Sequence, residues 1–249
     1  MDASQSEISR NIESILSRIN YACALCGRAP SGVRLLLATK TVTPERIRLA
    51  FQEGQTLIGE NKIQEIRDKF DALLRFPHET HFIGHLQTNK IKDILKYDVS
   101  CIQSLDRLDL AEKLQHRLQV EQKQVDVFIQ VNTSGEASKF GVEPSQTLDF
   151  VRKVAQLDRL RIKGLMTIGL LSAQQDQVRP CFCLLRDLQQ DVDRLNLPNV
   201  SMTELSMGMS GDLEVAIEEG STMIRIGTAI FGKRAYPDSY YWNEKDGGL

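Results

Sequence analysis

The chain has 249 residues, of which 41% are hydrophobic and 26% are charged, and its formal net charge is -2. This composition is typical of a globular protein with one sizeable core, and it excludes the strongly basic surface that nucleic-acid binding needs. Because no apolar run approaches the roughly 20 residues of a membrane span, we expect a cytoplasmic protein that binds a small molecule, without a nucleic-acid or membrane partner.

The chain opens with a predicted amphipathic helix, in which Ile8, Ile12, Ile15 and Ile19 recur at helical spacing. Short runs rich in valine, isoleucine and leucine then alternate with segments of helical length. The predicted strands are 33–39, 56–59, 81–85, 99–103, 125–131, 161–168, 200–206 and 223–230. The predicted helices between them are 44–53, 60–75, 88–96, 106–121, 144–157, 174–195 and 211–219.

This alternation predicts an α/β fold with a parallel sheet and helices outside it. Eight units in about 250 residues suit a single (β/α)8 TIM-type barrel, whereas a doubly wound sheet more often has five or six strands and a Gly-rich first turn. We place one barrel domain, with the extra N-terminal helix, at 1–234 and a polar tail at 235–249. The N-terminal helix is expected to cover the bottom of the barrel, and a dimer interface is the alternative.

Five cysteines are spread over the chain, namely Cys23, Cys26, Cys101, Cys181 and Cys183. An odd number over this length is typical of reduced thiols rather than of a disulfide framework. No histidine stands at ligand spacing from either close pair, so plain packing is favoured over a zinc site. We therefore expect no metal.

Lys40 directly follows the first predicted strand, and the chain turns after it at Thr43 and Pro44. Functional groups of such barrels gather where strands end, so we expect this side chain at the barrel mouth. Burial beside apolar groups favours the neutral form of a lysine, which is the form that attacks an aldehyde. From position alone, a solvated surface lysine is the alternative.

Two later segments suit a phosphate group. In the first, 205–212 (LSMGMSGD), small hydroxyl residues and glycines lead into a predicted helix, whose N-terminal N–H groups attract anions. In the second, Gly227 permits close approach of a ligand, Thr228 offers a hydroxyl, and Arg225 shares a strand face with Gly227. Loops after the seventh and eighth strands often bind phosphate in these barrels. Simple helix capping is the alternative for the first segment.

Eight segments in chain order carry a resemblance to a known family. They are Ala38-Thr39-Lys40-Thr41, Gly59-Glu60-Asn61, His81 to Lys90, Val131-Asn132-Thr133-Ser134, Lys139-Phe140-Gly141, Gly164-Leu165-Met166-Thr167, and the runs 205–212 and 225–232. With them the chain resembles, over 33–234, the YggS/PROSC family of pyridoxal phosphate homeostasis proteins. The barrel of that family is similar to the N-terminal domain of alanine racemase.

The resemblance implies that Lys40 holds pyridoxal 5′-phosphate (PLP) as a Schiff base. Other positions that it implies as cofactor-binding are Ser206, Ser210, Gly227 and Thr228 at the phosphate, Arg225 at the pyridine nitrogen, Asn61 and Met166 along the ring, and His85 nearby. For Met166 and His85, core packing is the alternative. The chain departs from the usual family pattern at Thr39, Val42 and Lys62, and Val42 leaves no second lysine beside Lys40.

Catalysis is not expected. An arginine at the pyridine nitrogen disfavours its protonation and weakens the ring as an electron sink. Racemisation also needs a second acid/base group, which the resembled racemases take from a separate domain, whereas Tyr236, Tyr240 and Tyr241 lie in the polar tail. We therefore expect a monomeric, non-catalytic protein that stores, delivers or buffers PLP for apo forms of PLP-dependent enzymes. The alternatives are an amino-acid racemase or other PLP-dependent enzyme, and a class I aldolase-like barrel.

Overall fold

The computed structural model describes residues 3–170 and 174–232. In this part of the chain, eight parallel strands close into a barrel in sequence order, which confirms the predicted (β/α)8 fold. The strands are β1 (Arg34–Ala38), β2 (Leu57–Glu60), β3 (Glu79–Phe82), β4 (Val99–Leu105), β5 (Val125–Gln130), β6 (Leu160–Met166), β7 (Val200–Ser206) and β8 (Met223–Ile226). The helices are α1 (Ala3–Leu25), α2 (Pro44–Gln52), α3 (Ile63–Leu73), α4 (Ile91–Ile94), α5 (Leu108–Glu121), α6 (Thr147–Val154), α7 (Gln175–Asp193), α8 (Leu213–Glu218) and α9 (Thr228–Phe231).

The strands are buried on both faces because the closed barrel separates an inner from an outer core. Outward side chains pack against the helices in one large cluster. The smaller inner cluster consists of Leu36, Leu57, Cys101, Phe128, Met166 and Met223. A glycine lets two strands approach closely at this wall: a Cβ on Gly164 of β6 would lie 1.9 Å from the carbonyl oxygen of Glu204 of β7.

The N-terminal helix lies along the outer side of the barrel. The isoleucine stripe of α1 is buried, and α1 packs against α2, α8 and α9. Asn11 donates to the carbonyl of Ile230 above β8, and Arg28 donates to the carbonyl of Ile217 at the end of α8. The expectation that this helix covers the barrel bottom was therefore wrong, because α1 buries its isoleucines where it packs against helices on the outer side of the barrel.

The third and the last predicted strands differ most from the observed bounds. The last strand ends at Ile226, and Thr228 already begins the short helix α9, so strand parity does not extend from Arg225 to Gly227. The third strand begins two residues earlier than predicted, because its pairing with β2 runs from Glu79 to Phe82. His85 consequently lies in the loop after β3 and not within the strand.

Nothing in the described ranges offers a helix with the length and hydropathy to cross a membrane. The predicted polar tail at 235–249, with its three tyrosines, lies outside the described residues.

Helix α5 ends on a residue with left-handed backbone geometry. Gln122 has φ +53°, and Lys123 N–H donates to the Leu118 carbonyl at 3.0 Å across it. Glycine adopts this geometry without a steric penalty, so Gln122→Gly is expected to raise the free energy of unfolding by about 1 kcal/mol. Urea denaturation measures the change. Gln119→Gly, inside the same helix, is the matched control and is expected to lower the free energy of unfolding by about 1 kcal/mol. Equal effects of the two substitutions would contradict the left-handed geometry at Gln122 as the cause of the gain.

Candidate functional site

Lys40 lies at the carboxyl end of β1, at the barrel mouth. The ladder continues past the strand, since Thr39 N–H donates to the Gly59 carbonyl at 3.0 Å, and Lys40 begins the turn that follows. The residue is 9% exposed. A largely buried lysine thus lies at the face of the barrel where active sites of this fold are found.

Arg225 is a buried cation on the inner face of β8. Its guanidinium donates to the Ser206 hydroxyl at 2.8 Å and to the Thr167 carbonyl at 2.7 Å. Burial lowers the pKa of Arg225 to about 10, and the Asp212 carboxylate opposes this shift. The side chain therefore remains charged at neutral pH, and two hydrogen bonds fix its direction.

The Ser206 hydroxyl is fully engaged inside the barrel. It donates to Gln103 Oε1 at 2.6 Å and accepts from Arg225, and the residue is 0% exposed. A hydroxyl has a single proton to donate, so none remains for an anion. In this geometry Ser206 orients Arg225, and the arrangement does not favour the phosphate contact that the resemblance implied for Ser206.

The two segments expected at a phosphate meet at the mouth. Arg225 N–H donates to the Gly208 carbonyl at 3.0 Å, which joins the loop after β7 to β8. Ser210 lies half-buried in that loop, and its carbonyl accepts from Arg18 of α1. At the end of β8, Gly227 is half-buried and Thr228 is exposed. The loops that carry Ser210 and Thr228 are thus neighbours at the same end of the barrel.

The predicted ring contacts also lie at strand ends. Met166 closes β6 and belongs to the inner cluster. Asn61 follows β2 and is half-buried, with its backbone so close to Gly84 that a Cβ there would lie 2.1 Å from the Asn61 carbonyl oxygen. Lys40, Asn61 and Met166 therefore share the barrel mouth with Arg225.

His85 lies at the rim, in the loop after β3. Its ring stacks on Phe140 at 3.9 Å between centroids with an interplanar angle of 22°, and its Nδ1 is 3.8 Å from Asp106 Oδ2. The described residues provide no hydrogen-bond partner for that nitrogen. His85 is thus a rim residue beside a carboxylate, and not a core histidine.

A buried polar chain behind Arg225 was missed in the sequence. The Gln103 amide donates to His81 Nδ1 at 2.7 Å and to Met223 Sδ at 3.0 Å, while its oxygen accepts from Ser206. These contacts join β3, β4, β7 and β8 inside the barrel. The available signal was the alternation in β4, where Gln103 stands two residues after Cys101 and so shares its inward face.

Comparisons with known proteins identify the family of this chain. The profile of the alanine racemase N-terminal domain family matches residues 14–235. The pyridoxal phosphate homeostasis protein of Aquifex aeolicus is 44% identical over 222 residues, which are 89% of this chain and 96% of that protein. The chain belongs to the pyridoxal phosphate homeostasis protein family. The resemblance to this family that the sequence indicated is thereby confirmed.

Solved structures place the barrel in the same group. PipY of Synechococcus elongatus, solved with PLP bound, superposes with a TM-score of 0.79 at 30% identity, and the match covers 90% of this chain and 100% of that one. Alanine racemase of Clostridium difficile superposes with a TM-score of 0.70 at 11% identity over 94% of this chain and 57% of that one, which shows a shared fold alone.

Proposed function

We propose that this protein binds PLP covalently as a Schiff base on Lys40 and that it stores, delivers or buffers the cofactor without turning over a substrate. The observation that carries the proposal is the grouping at one barrel mouth of a largely buried lysine, a buried arginine and two loops with hydroxyl groups. The names of the homologues and the PLP-bound PipY structure support it. Apo forms of PLP-dependent enzymes are the proposed recipients.

The donor set fits PLP. Bound PLP would supply an aldehyde, a group with which a primary amine can condense with loss of one water. Lys40 supplies the amine. The other proposed contacts are Ser210, Gly227 and Thr228 at the phosphate, Arg225 at the pyridine nitrogen, and Asn61 and Met166 along the ring. Ser206 is proposed to act one step away, by fixing the guanidinium of Arg225.

A storage role follows from the charge at Arg225. A guanidinium held by two hydrogen bonds at 2.7 and 2.8 Å keeps its positive charge in place, and a fixed cation disfavours protonation of a nitrogen beside it. A PLP ring placed there would be a weak electron sink, and its bond to Lys40 would serve as a reversible attachment.

A second candidate function is a PLP-dependent enzyme such as an amino-acid racemase. His85 beside Asp106 at the rim is the observation that favours it, because histidine is a frequent general acid or base in enzymes and the Asp106 carboxylate lies 3.8 Å from its Nδ1. This enzyme would use Lys40 and His85 as its two acid/base groups.

One experiment separates the two candidates. Protein loaded with PLP is reduced with borohydride, digested and mapped by mass spectrometry, and it is assayed in parallel for interconversion of D- and L-amino acids. We expect a pyridoxyl group on the Lys40 peptide and no turnover. Robust turnover that is lost in His85→Ala would establish the enzyme, and the absence of any pyridoxyl adduct would refute both candidates.

A further inference from the structure

The peptide groups on both sides of Lys40 are held by side chains from neighbouring elements. On one side, the Thr39 carbonyl accepts from Lys69 Nζ at 2.8 Å, and the Thr39 hydroxyl donates to Glu60 Oε1 at 2.6 Å. On the other side, Thr41 N–H donates to Glu65 Oε2 at 3.1 Å. The backbone that carries Lys40 is therefore tied to β2 and to the first two turns of α3.

The three holding residues form one ionic cluster. Lys69 Nζ lies 2.8 Å from Glu60 Oε1 and 2.6 Å from Glu65 Oε2. The side chains of Lys69 and Glu60 are 9% and 1% exposed, whereas that of Glu65 is 25% exposed. Burial raises the pKa of Glu60, and the neighbouring Lys69 ammonium opposes this shift. Because Lys69 contacts both carboxylates and Thr39, displacement of one member disturbs the others.

The backbone at Thr41 is strained. Its φ is +65°, in the left-handed region that a β-branched residue very rarely adopts. Such geometry persists only where the surroundings impose it, and it is concentrated at functional sites. The hydrogen bond from Thr41 N–H to Glu65 helps to hold this conformation. Thr41 directly follows Lys40, so the strained turn adjoins the proposed reactive lysine.

We infer that Glu60, Glu65 and Lys69 are positioning residues, a clamp that holds the Lys40 backbone so that its amine meets the PLP aldehyde in one fixed geometry. The inference rests on the proposed Schiff base at Lys40. The clamp takes no part in proton transfer: one water leaves when the C=N bond forms, and one water is taken up when it breaks. Its effect is on how fast the bond forms, because misplacement of a reacting group slows a reaction steeply.

The test compares Glu65→Ala, Glu65→Gln and Thr41→Gly with wild type. Asp68→Asn is the matched control, since Asp68 is an exposed carboxylate on α3 that pairs with Arg67. Apo-protein is mixed with PLP, quenched with borohydride at successive times, and the pyridoxyl peptide of Lys40 is quantified. Glu65→Ala is expected to form the adduct roughly tenfold more slowly. Glu65→Gln keeps an oxygen acceptor for Thr41 and is expected to recover part of the rate.

A second measurement tests the clamp in the absence of PLP. Amide hydrogen exchange at Thr41 is expected to accelerate about tenfold in Glu65→Ala and to stay unchanged in Asp68→Asn, because only the former loses the acceptor of that amide. Thr41→Gly removes the strain but not the acceptor, and its adduct is expected to form several-fold more slowly because glycine leaves the turn less restricted.

If Glu65→Ala and Thr41→Gly form the adduct at the wild-type rate, the clamp is overturned. The adduct on Lys40 itself would still support the proposed function. An equally slow adduct formation in Asp68→Asn would also overturn the clamp, because loss of any carboxylate on α3 would then have the same effect. Failure of the wild-type protein to form an adduct would instead refute the proposed function, together with the inference that rests on it.

Discussion

Lys40→Ala protein is expected to form no covalent PLP adduct. The substitution removes the only group for which we propose attack on the aldehyde, and the short alanine side chain leaves Arg225 and the loops after β7 and β8 in place. The absorbance of the Schiff base should be lost completely, and borohydride should trap nothing on the protein. Absorbance spectroscopy and intact-protein mass spectrometry measure both. PLP is still expected to bind reversibly and more weakly through its phosphate.

Lys62→Ala is the matched control for this experiment. Lys62 follows Asn61 at the same rim and is half-buried, so it is another lysine that an aldehyde at the barrel mouth could reach. Its substitution should leave the adduct intact. A pyridoxyl group that persists in Lys40→Ala and disappears in Lys62→Ala would move the Schiff base to the second lysine and contradict the assignment.

Lys69→Met is expected to lower the free energy of unfolding by about 3–5 kcal/mol. The substitution leaves the carboxylate of Glu60, whose side chain is 1% exposed, without the ammonium that lies 2.8 Å away. The other oxygen of that carboxylate already has no hydrogen-bond partner among the described residues. A buried charge without a partner strongly destabilises a folded protein. Urea denaturation with an unchanged m-value measures the loss.

The double variant Glu60→Met/Lys69→Met should recover most of that stability. An apolar pair of similar volume removes the charge that Lys69→Met leaves unpaired, and such replacements are often neutral. Lys92→Met, at an exposed position of α4, controls for the loss of a lysine and should change stability by less than about 0.5 kcal/mol. A loss below about 1 kcal/mol in Lys69→Met would show that Glu60 is stabilised by other means.

The positions of the reactive groups along the chain could be predicted because they depend on local pattern. Strand and helix periodicity placed Lys40 directly after the first strand, and in the structure Lys40 begins the turn two residues after the last residue of β1. Glycines and serines marked the loops at 205–212 and 225–228 as the candidate phosphate region, and a hydrogen bond from Arg225 to Gly208 joins those two loops. Their contacts with PLP remain a prediction.

The sequence by itself determined the eight-unit barrel, the family and the residues at the strand ends, since these follow from short-range periodicity and motifs. Only the tertiary structure decided that Ser206 faces Gln103 and Arg225, that α1 lies along the barrel side, and that Glu60, Glu65 and Lys69 hold the Lys40 backbone. The physical reason is that these contacts join elements far apart in the chain, so their partners depend on the strand register at which the barrel closes.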